Sequence, residues 1–502
     1  MGLGLVATAG AGVLGLSAMV NSASAHADDI GLVMGGSGLP IPGPDYVRAA
    51  DGLYLNNPGT GLYPDLTFYQ ATTANPFGNG LFTPEGLYPL TGVHTLFLNY
   101  PEDAGGLPSG STSVGQGAAI LESTIAADQA AGDATTVFGY SQSSTLSGIA
   151  MRLLDPSGTP EPNSGLQFLL IADPSNPNGG LLERFNGFET TTGHIVPDQL
   201  NLPSMGIAFD GATPSDDYVT NIYSLEYDGF ADFPRYPINF LSDLNAFLGI
   251  AEIHGTYLNG GVAGSGPTAE QIANAILLPG SMDAGTADSL TNYYMIDGTA
   301  PLVSLLPTQL QELLGPDLTY LINLGYGDGS LGYSVTADSP ANVATPFGLF
   351  PDVSLSTVLS TLATDTQQGF QNLMSGTDPF SAALAPATSS ATSFTDLLSA
   401  LSADAANPAA SFTDLINAIS SAASTAYSTL LPLADIANAL LTSAPSYELG
   451  LFTTNLASGD LLDALGLPIA ADTALNTLAA GFAYQVITDA ASQITADFSG
   501  LF

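Results

Sequence analysis

Residues 135–144 read Thr135-Thr136-Val137-Phe138-Gly139-Tyr140-Ser141-Gln142-Ser143-Ser144. A β-branched, apolar run reaches a glycine, turns at a serine and passes into residues of helical spacing, since Leu146, Ile149, Ala150 and Leu153 share one face over 144–154. Strand, tight turn and helix together make a nucleophile elbow, in which small residues let strand and helix approach and the serine hydroxyl leaves at the carboxyl edge of a sheet. The consensus is G-x-S-x-G. Here its last place is Ser143, which is small enough to fit. A serine that merely caps a helix is the competing reading, and the strand before and helix after favour the elbow. Ser141 is the candidate nucleophile, and the amide of Gln142, at the helix start, is a candidate oxyanion donor.

The flanking chain alternates as a parallel sheet demands. Strands are expected at Ile30–Met34, His94–Pro101, Leu166–Ala172 and Asn221–Tyr227, and helices over 114–131 and 238–250, the latter opened by Pro237. The fold class is therefore α/β, an α/β-hydrolase fold with a mostly parallel sheet. A serine nucleophile needs a base. His254, in Ile253-His254-Gly255-Thr256-Tyr257, follows the serine and a helix, as the Ser…Asp…His order of such folds requires. His94 and His194 sit less well for that order, and His26 lies in the N-terminal segment. The acid is expected after a strand and before the histidine. Tyr227-Asp228-Gly229-Phe230-Ala231-Asp232-Phe233-Pro234 offers Asp232, preferred for its loop position between Gly229 and Pro234, and Asp228 as the alternative. Asp173, in Ala172-Asp173-Pro174, is a third candidate that suits a turn-building role better. The glycine-rich loop Gly35-Gly36-Ser37-Gly38 can bring a second oxyanion donor, the amide of Gly36 or Ser37. The Asn-, Gly- and Pro-rich segment between Asp173 and Asp217 suits a lid over an acyl chain.

Composition narrows the function further. Among 502 residues, 46 acidic side chains face four basic ones, all arginine, for a formal net charge of −42. Such a surface repels phosphate backbones, so no nucleic-acid partner is expected. With no cysteine, disulfides and thiolate chemistry are excluded, and without a His-x-x-x-His pair neither a metal nor another cofactor is expected. Residues 5–20 form an apolar stretch ahead of Ala25-His26-Ala27, an A-x-A pattern, so residues 1–27 read as an export signal although no basic residue precedes Arg48. Residues 28–345 form the expected catalytic domain. Residues 346–502, rich in Ala, Ser, Thr and Leu, read as a helical accessory region. Within it Ser393-Phe394-Thr395-Asp396-Leu397-Leu398 returns as Ser411-Phe412-Thr413-Asp414-Leu415-Ile416.

Met34-Gly35-Gly36-Ser37-Gly38, Gly139-Tyr140-Ser141-Gln142-Ser143, Tyr227–Pro234 and His254-Gly255-Thr256-Tyr257 together resemble the PE-PPE C-terminal domain family. That family belongs to bacteria with mycolate-rich envelopes and is similar to cutinases. The resemblance implies a Ser–Asp–His triad and hydrolysis of short- to medium-chain, lipid-like acyl esters. It also implies a secreted or envelope-associated location. The alternative reaction is acyl transfer between envelope glycolipids such as acyl trehaloses. The non-enzymatic reading is an envelope surface protein with an inactive hydrolase fold.

Overall fold

The central strands form where apolar, β-branched and aromatic residues dominate, and their alternate side chains are taken up on both sides of a sheet. In the computed structural model the described residues are 29–36, 42–57, 113–185, 211–261, 265–375 and 433–499, with short pieces at 201–202, 207–208, 417, 420–421 and 430. Strands are β1 (Asp29–Val33), β2 (Ala134–Tyr140), β3 (Leu166–Ile171), β4 (Asn201–Leu202), β5 (Ile207–Ala208), β6 (Val219–Leu225), β7 (Ile276–Leu277) and β8 (Thr291–Ile296). Six of them form one sheet in the order β1-β2-β3-β6-β8-β7, parallel except for β7, which runs antiparallel to β8. β4 and β5 make a separate antiparallel pair.

Each face of the large sheet has its own core. On one side Leu32, Val137, Phe168, Leu170, Ile222 and Met295 meet α2 (Ser113–Ala131) through Leu121 and Ile125, and α3 (Gln142–Leu154) through Leu146 and Ile149. On the other side Val33, Phe138, Leu169, Ile171 and Tyr223 meet Ala50 of α1 (Pro44–Ala50), Tyr54 and Tyr257. The result is a three-layer α/β sandwich, the class expected from the sequence.

α4 (Phe240–Glu252) lies beyond β6 and matches the helix expected over 238–250. The chain continues through α5 (Ala269–Ala273), α6 (Pro301–Ser304), α7 (Thr308–Asn323) and α8 (Leu355–Ser375). α9 (Ser443–Ser458) and α10 (Leu461–Ser499) follow, joined at Gly459, whose φ of 89° supplies a left-handed helix end. These two helices bring Tyr447, Leu451, Leu475, Leu478 and Phe482 into a third core with Leu181, Phe185, Phe230, Phe233 and Ile250. Small side chains, Ala470, Ala471 and Ala474, line the helix there and let it lie close.

The expected lid differs in its first part. Residues 173–185 are buried throughout, and Gly180 lies so close to Pro174 and Asn176 that a β-carbon would collide with their backbone. Arg184 is fully buried there. Its guanidinium donates to the carbonyls of Phe233 (3.2 and 3.1 Å) and Thr345 (2.6 Å) and to Asn178 Oδ1 (3.3 Å), and burial pushes it down to about 10. A segment that holds a buried, saturated arginine is scaffold rather than cover. Residues 186–200, the strand expected at His94–Pro101, the N-terminal 1–27 and the repeat at 393–416 lie outside the described residues.

Candidate active site

Ser141 follows the last residue of β2 and precedes the first of α3. Its backbone takes φ 57° and ψ −117°, a conformation costing about 1–3 kcal/mol for a residue with a β-carbon. The surroundings impose it. Ser141 N donates to Ile171 O (3.0 Å), and Ser144 N returns to Ser141 O (2.9 Å). A β-carbon at Gly139 would meet Ser143 O at 2.9 Å and Leu170 Cδ2 at 3.0 Å, so the first glycine of the pentapeptide is required by space. Ser143, at its last place, does more than fit. Its Oγ accepts from Tyr140 N (2.7 Å) and lies 3.0 Å from Tyr140 O, so the hydroxyl staples the turn across its base.

His254 arrives from the other direction. It lies two residues past α4, with its amide on Gly249 O (2.9 Å). Its Nε2 lies 2.7 Å from Ser141 Oγ, and its Nδ1 lies 2.9 Å from both carboxylate oxygens of Asp228. Tyr140 OH donates to the His254 carbonyl, and the ring of Phe230 packs against the imidazole edge-to-face, centroids 4.6 Å apart at 67°. His254 is 6% exposed and Asp228 not at all. Burying a carboxylate is costly unless its lone pairs are filled. Here Phe230 N donates to Oδ1 (3.0 Å) and Tyr257 OH to Oδ2 (2.7 Å), beside the imidazole. Tyr257 OH is itself fixed by Leu225 N (2.8 Å).

The sequence preference for Asp232 is corrected by this geometry. Asp232 lies four residues further on and does not reach the imidazole. Its Oδ2 accepts from Tyr227 N (2.9 Å), and burial drives its carboxyl well above the ordinary range, helped by Glu226 and Asp228 and opposed by Arg184. Its carboxylate is taken up by its own turn and lies away from the imidazole. The alternative, Asp228, occupies that place because β6 leaves the sheet through Tyr227 at φ 68°, and because α4 comes very close to the next turn. A β-carbon at Gly229 would collide with Ala246 O, and one at Gly249 with Tyr227 O. Both glycines are needed for α4 to deliver His254. Asp173 builds a turn, as expected: it accepts from Ser175 N (2.9 Å) and Thr213 Oγ1 (2.6 Å), and burial raises it to about 6.

The loop after β1 borders the serine. β1 pairs with β2 up to Val33 opposite Phe138, which brings Gly36 to Ser141: a β-carbon at Gly36 would sit 3.5 Å from Ser141 Cβ. Ser37 lies outside the described residues. Gln142 opens α3 directly after Ser141, at the N-terminal end of the helix. Tyr257, Tyr140 and Phe230 were quoted in the sequence motifs without a role. Their signal was available only as proximity to His254 and Asp228, which spacing along the chain does not convey. No group of three or more His, Cys, Asp or Glu among the described residues is arranged to hold a metal ion.

A mostly parallel sheet that throws a serine out at its carboxyl edge on such a turn is the α/β-hydrolase type of fold. Within that class the chain belongs to the PE-PPE domain family, whose model matches residues 76–327. It is 39% identical over 511 residues to the uncharacterized PPE family protein PPE28 of Mycobacterium tuberculosis, covering 97% of this chain and 70% of that one. Esterase PE16 of the same organism is 35% identical over 348 residues, 67% of this chain and 55% of its own length. PE family protein PE3 is 36% identical over 351 residues, 68% and 62% of the two chains. The chain thus spans between just over half and seven-tenths of these relatives. No solved structure matches it.

Proposed function

We propose that this chain is a serine esterase acting on lipid-like acyl esters, with Ser141 as nucleophile, His254 as base and Asp228 as the acid that orients the imidazole. The reading is carried by one observation, the continuous line Ser141 Oγ–His254 Nε2 (2.7 Å) and His254 Nδ1–Asp228 (2.9 Å) on a strained elbow. The esterase name borne by the relative PE16 supports it. His254 Nε2 takes the proton as Ser141 Oγ attacks the ester carbonyl carbon. The tetrahedral oxyanion is met by the amide of Gln142 and by an amide of the Gly36–Ser37 loop. Collapse breaks the bond to the alcohol oxygen, which leaves with the proton from Nε2 and an acyl-serine behind. Water, deprotonated by the same nitrogen, then releases the acid. Asp228 holds the ring in the tautomer that leaves Nε2 free to accept. The apolar stretch over 5–20 with Ala25-His26-Ala27 supports work outside the cytoplasm, at the envelope.

The test is labelling of the whole chain by a fluorophosphonate, together with hydrolysis of p-nitrophenyl esters of graded acyl length. Wild type is expected to label and hydrolyse, and Ser141→Ala to do neither. Hydrolysis that survives Ser141→Ala contradicts the proposal.

A further inference from the structure

The imidazole of His254 is covered on one side by a ring the sheet does not hold. Phe230 packs on it edge-to-face at 4.6 Å, and the same residue's amide donates to Asp228 Oδ1 (3.0 Å). One residue therefore touches both members of the proton line. The Phe230 side chain belongs to the third core, apart from the two cores that clothe the sheet, and its neighbour there is Phe482 of α10, centroids 5.7 Å apart at 37°. Phe482 is 1% exposed. The helix is brought to that distance by the residue before it: a β-carbon at Gly481 would lie 3.0 Å from Ile250 Cδ1, so the backbone of α10 rests on α4, the helix that delivers His254. Leu478 and Leu475, one and two turns back along α10, are buried in the same core, and α9 fastens the pair to the domain through Tyr447 OH on Phe185 O (3.3 Å).

We propose that Phe482 is a positioning residue for the proposed reaction: through Phe230 it holds the His254 imidazole in line between Ser141 and Asp228, which makes α10 a working part of the active site. The inference rests on the esterase reading for its kinetic consequence and on the ring contacts for its geometry. A side chain with only a core-filling role would affect stability wherever along α10 it was removed. Phe482 has a second, local effect. Without its ring, Phe230 gains freedom to rotate, the imidazole loses its edge contact, and Nε2 spends less time within reach of Ser141 Oγ.

The experiment compares Phe482→Ala, Phe482→Leu and Leu475→Ala in the full chain. Leu475 is 2% exposed in the same core and on the same helix, two turns from Phe482, and serves as the packing control. Two quantities are read: kcat and KM on a p-nitrophenyl ester, and the chemical shift of the His254 ring protons, assigned by their loss in His254→Ala. That resonance feels the Phe230 ring whether or not the chain hydrolyses anything. Phe482→Ala is expected to lower kcat about tenfold, as a small misplacement of a catalytic group does, with KM nearly unchanged, and to move the His254 resonance. Phe482→Leu keeps the apolar bulk and is expected to show smaller changes in the same direction. Leu475→Ala is expected to lower the melting temperature and leave both readouts in place. Equal losses in Phe482→Ala and Leu475→Ala, or an unmoved resonance in both Phe482 variants, overturn the proposal. A resonance that moves in a wild-type background that neither labels nor hydrolyses overturns the esterase reading alone.

Discussion

β3 and β6 leave the sheet in the same way and to different ends. β3 is followed directly by Ala172 at φ 53°, and β6, after Glu226, by Tyr227 at φ 68°; each of these two is followed by a fully buried aspartate, Asp173 and Asp228. Asp173 is taken up by Ser175 N in its own turn and by Thr213 Oγ1, forty residues on. The Asp228 carboxylate accepts from Phe230 N in its own loop and otherwise faces Tyr257 OH and the His254 imidazole. Strand-end geometry therefore does not make a triad acid. What differs is the helix that returns. α4 lies so close to the turn after β6 that only glycine is tolerated at 229 and 249, and that approach sets His254 beside Asp228. Among the described residues, no histidine is brought to Asp173.

The comparison is broken most severely by pushing α4 away. Gly249→Ala is expected to cost about 100-fold in kcat/KM by displacing His254, and to destabilise the fold by roughly 1–3 kcal/mol through overpacking. Ester hydrolysis and a denaturant melt check both. A variant with wild-type kinetics would show that the closeness of α4 is not what positions the imidazole.

Tyr257→Phe sharpens the contrast from the acid's side. It removes one donor from Asp228 and leaves the ring in its pocket. A hydrogen bond to a charged group is worth about 1.5–3 kcal/mol, so kcat/KM is expected to fall roughly tenfold or somewhat more. The measurement is steady-state hydrolysis with circular dichroism as a check on folding.

Asp173→Asn is expected to leave hydrolysis close to wild type and to act on stability instead. Burial raises the Asp173 carboxyl from 3.8 to about 6, so the folded state binds that proton more tightly than the unfolded chain. Its effect on stability is most favourable below the ordinary carboxylate value and is lost as pH rises from there to about 6, beyond which it is constant. The asparagine cannot ionise. The melting temperature of the variant relative to wild type should therefore climb between pH 4 and pH 6 and then level off. A difference that does not change with pH contradicts this account of Asp173.

The sequence carried much of this site because its pieces are local. The strand–turn–helix around Ser141 is written in consecutive residues, and α4 in the spacing of Leu241, Leu244 and Leu248. His254 stood out because few histidines compete with it. The choice between Asp228 and Asp232 was not local. It depends on the hand of the turn at Tyr227 and on contact between Gly229 and Gly249, twenty residues apart in sequence. The segment from Asp173 was read as a lid from its Asn, Gly and Pro content, yet the same residues build a tight buried turn when an arginine such as Arg184 stitches them to carbonyls. β8 went unread because Thr291-Asn292-Tyr293-Tyr294-Met295-Ile296 mixes polar and aromatic residues, whose burial depends on neighbours. In α9 and α10 the abundance of alanine signalled an accessory region, whereas small side chains are what let α10 lie against the domain beside Phe230.

The central claim is that Asp228, not its neighbour four residues on, sets His254 to activate Ser141. The direct measurement is the second-order rate of fluorophosphonate labelling in Asp228→Asn and Asp232→Asn, beside wild type. Asp228→Asn is expected to label about 10⁴-fold more slowly, since the asparagine favours the wrong tautomer of the imidazole. Asp232→Asn, which keeps an acceptor for Tyr227 N, is expected to label at close to the wild-type rate. A slow Asp232→Asn beside a fast Asp228→Asn would contradict the account.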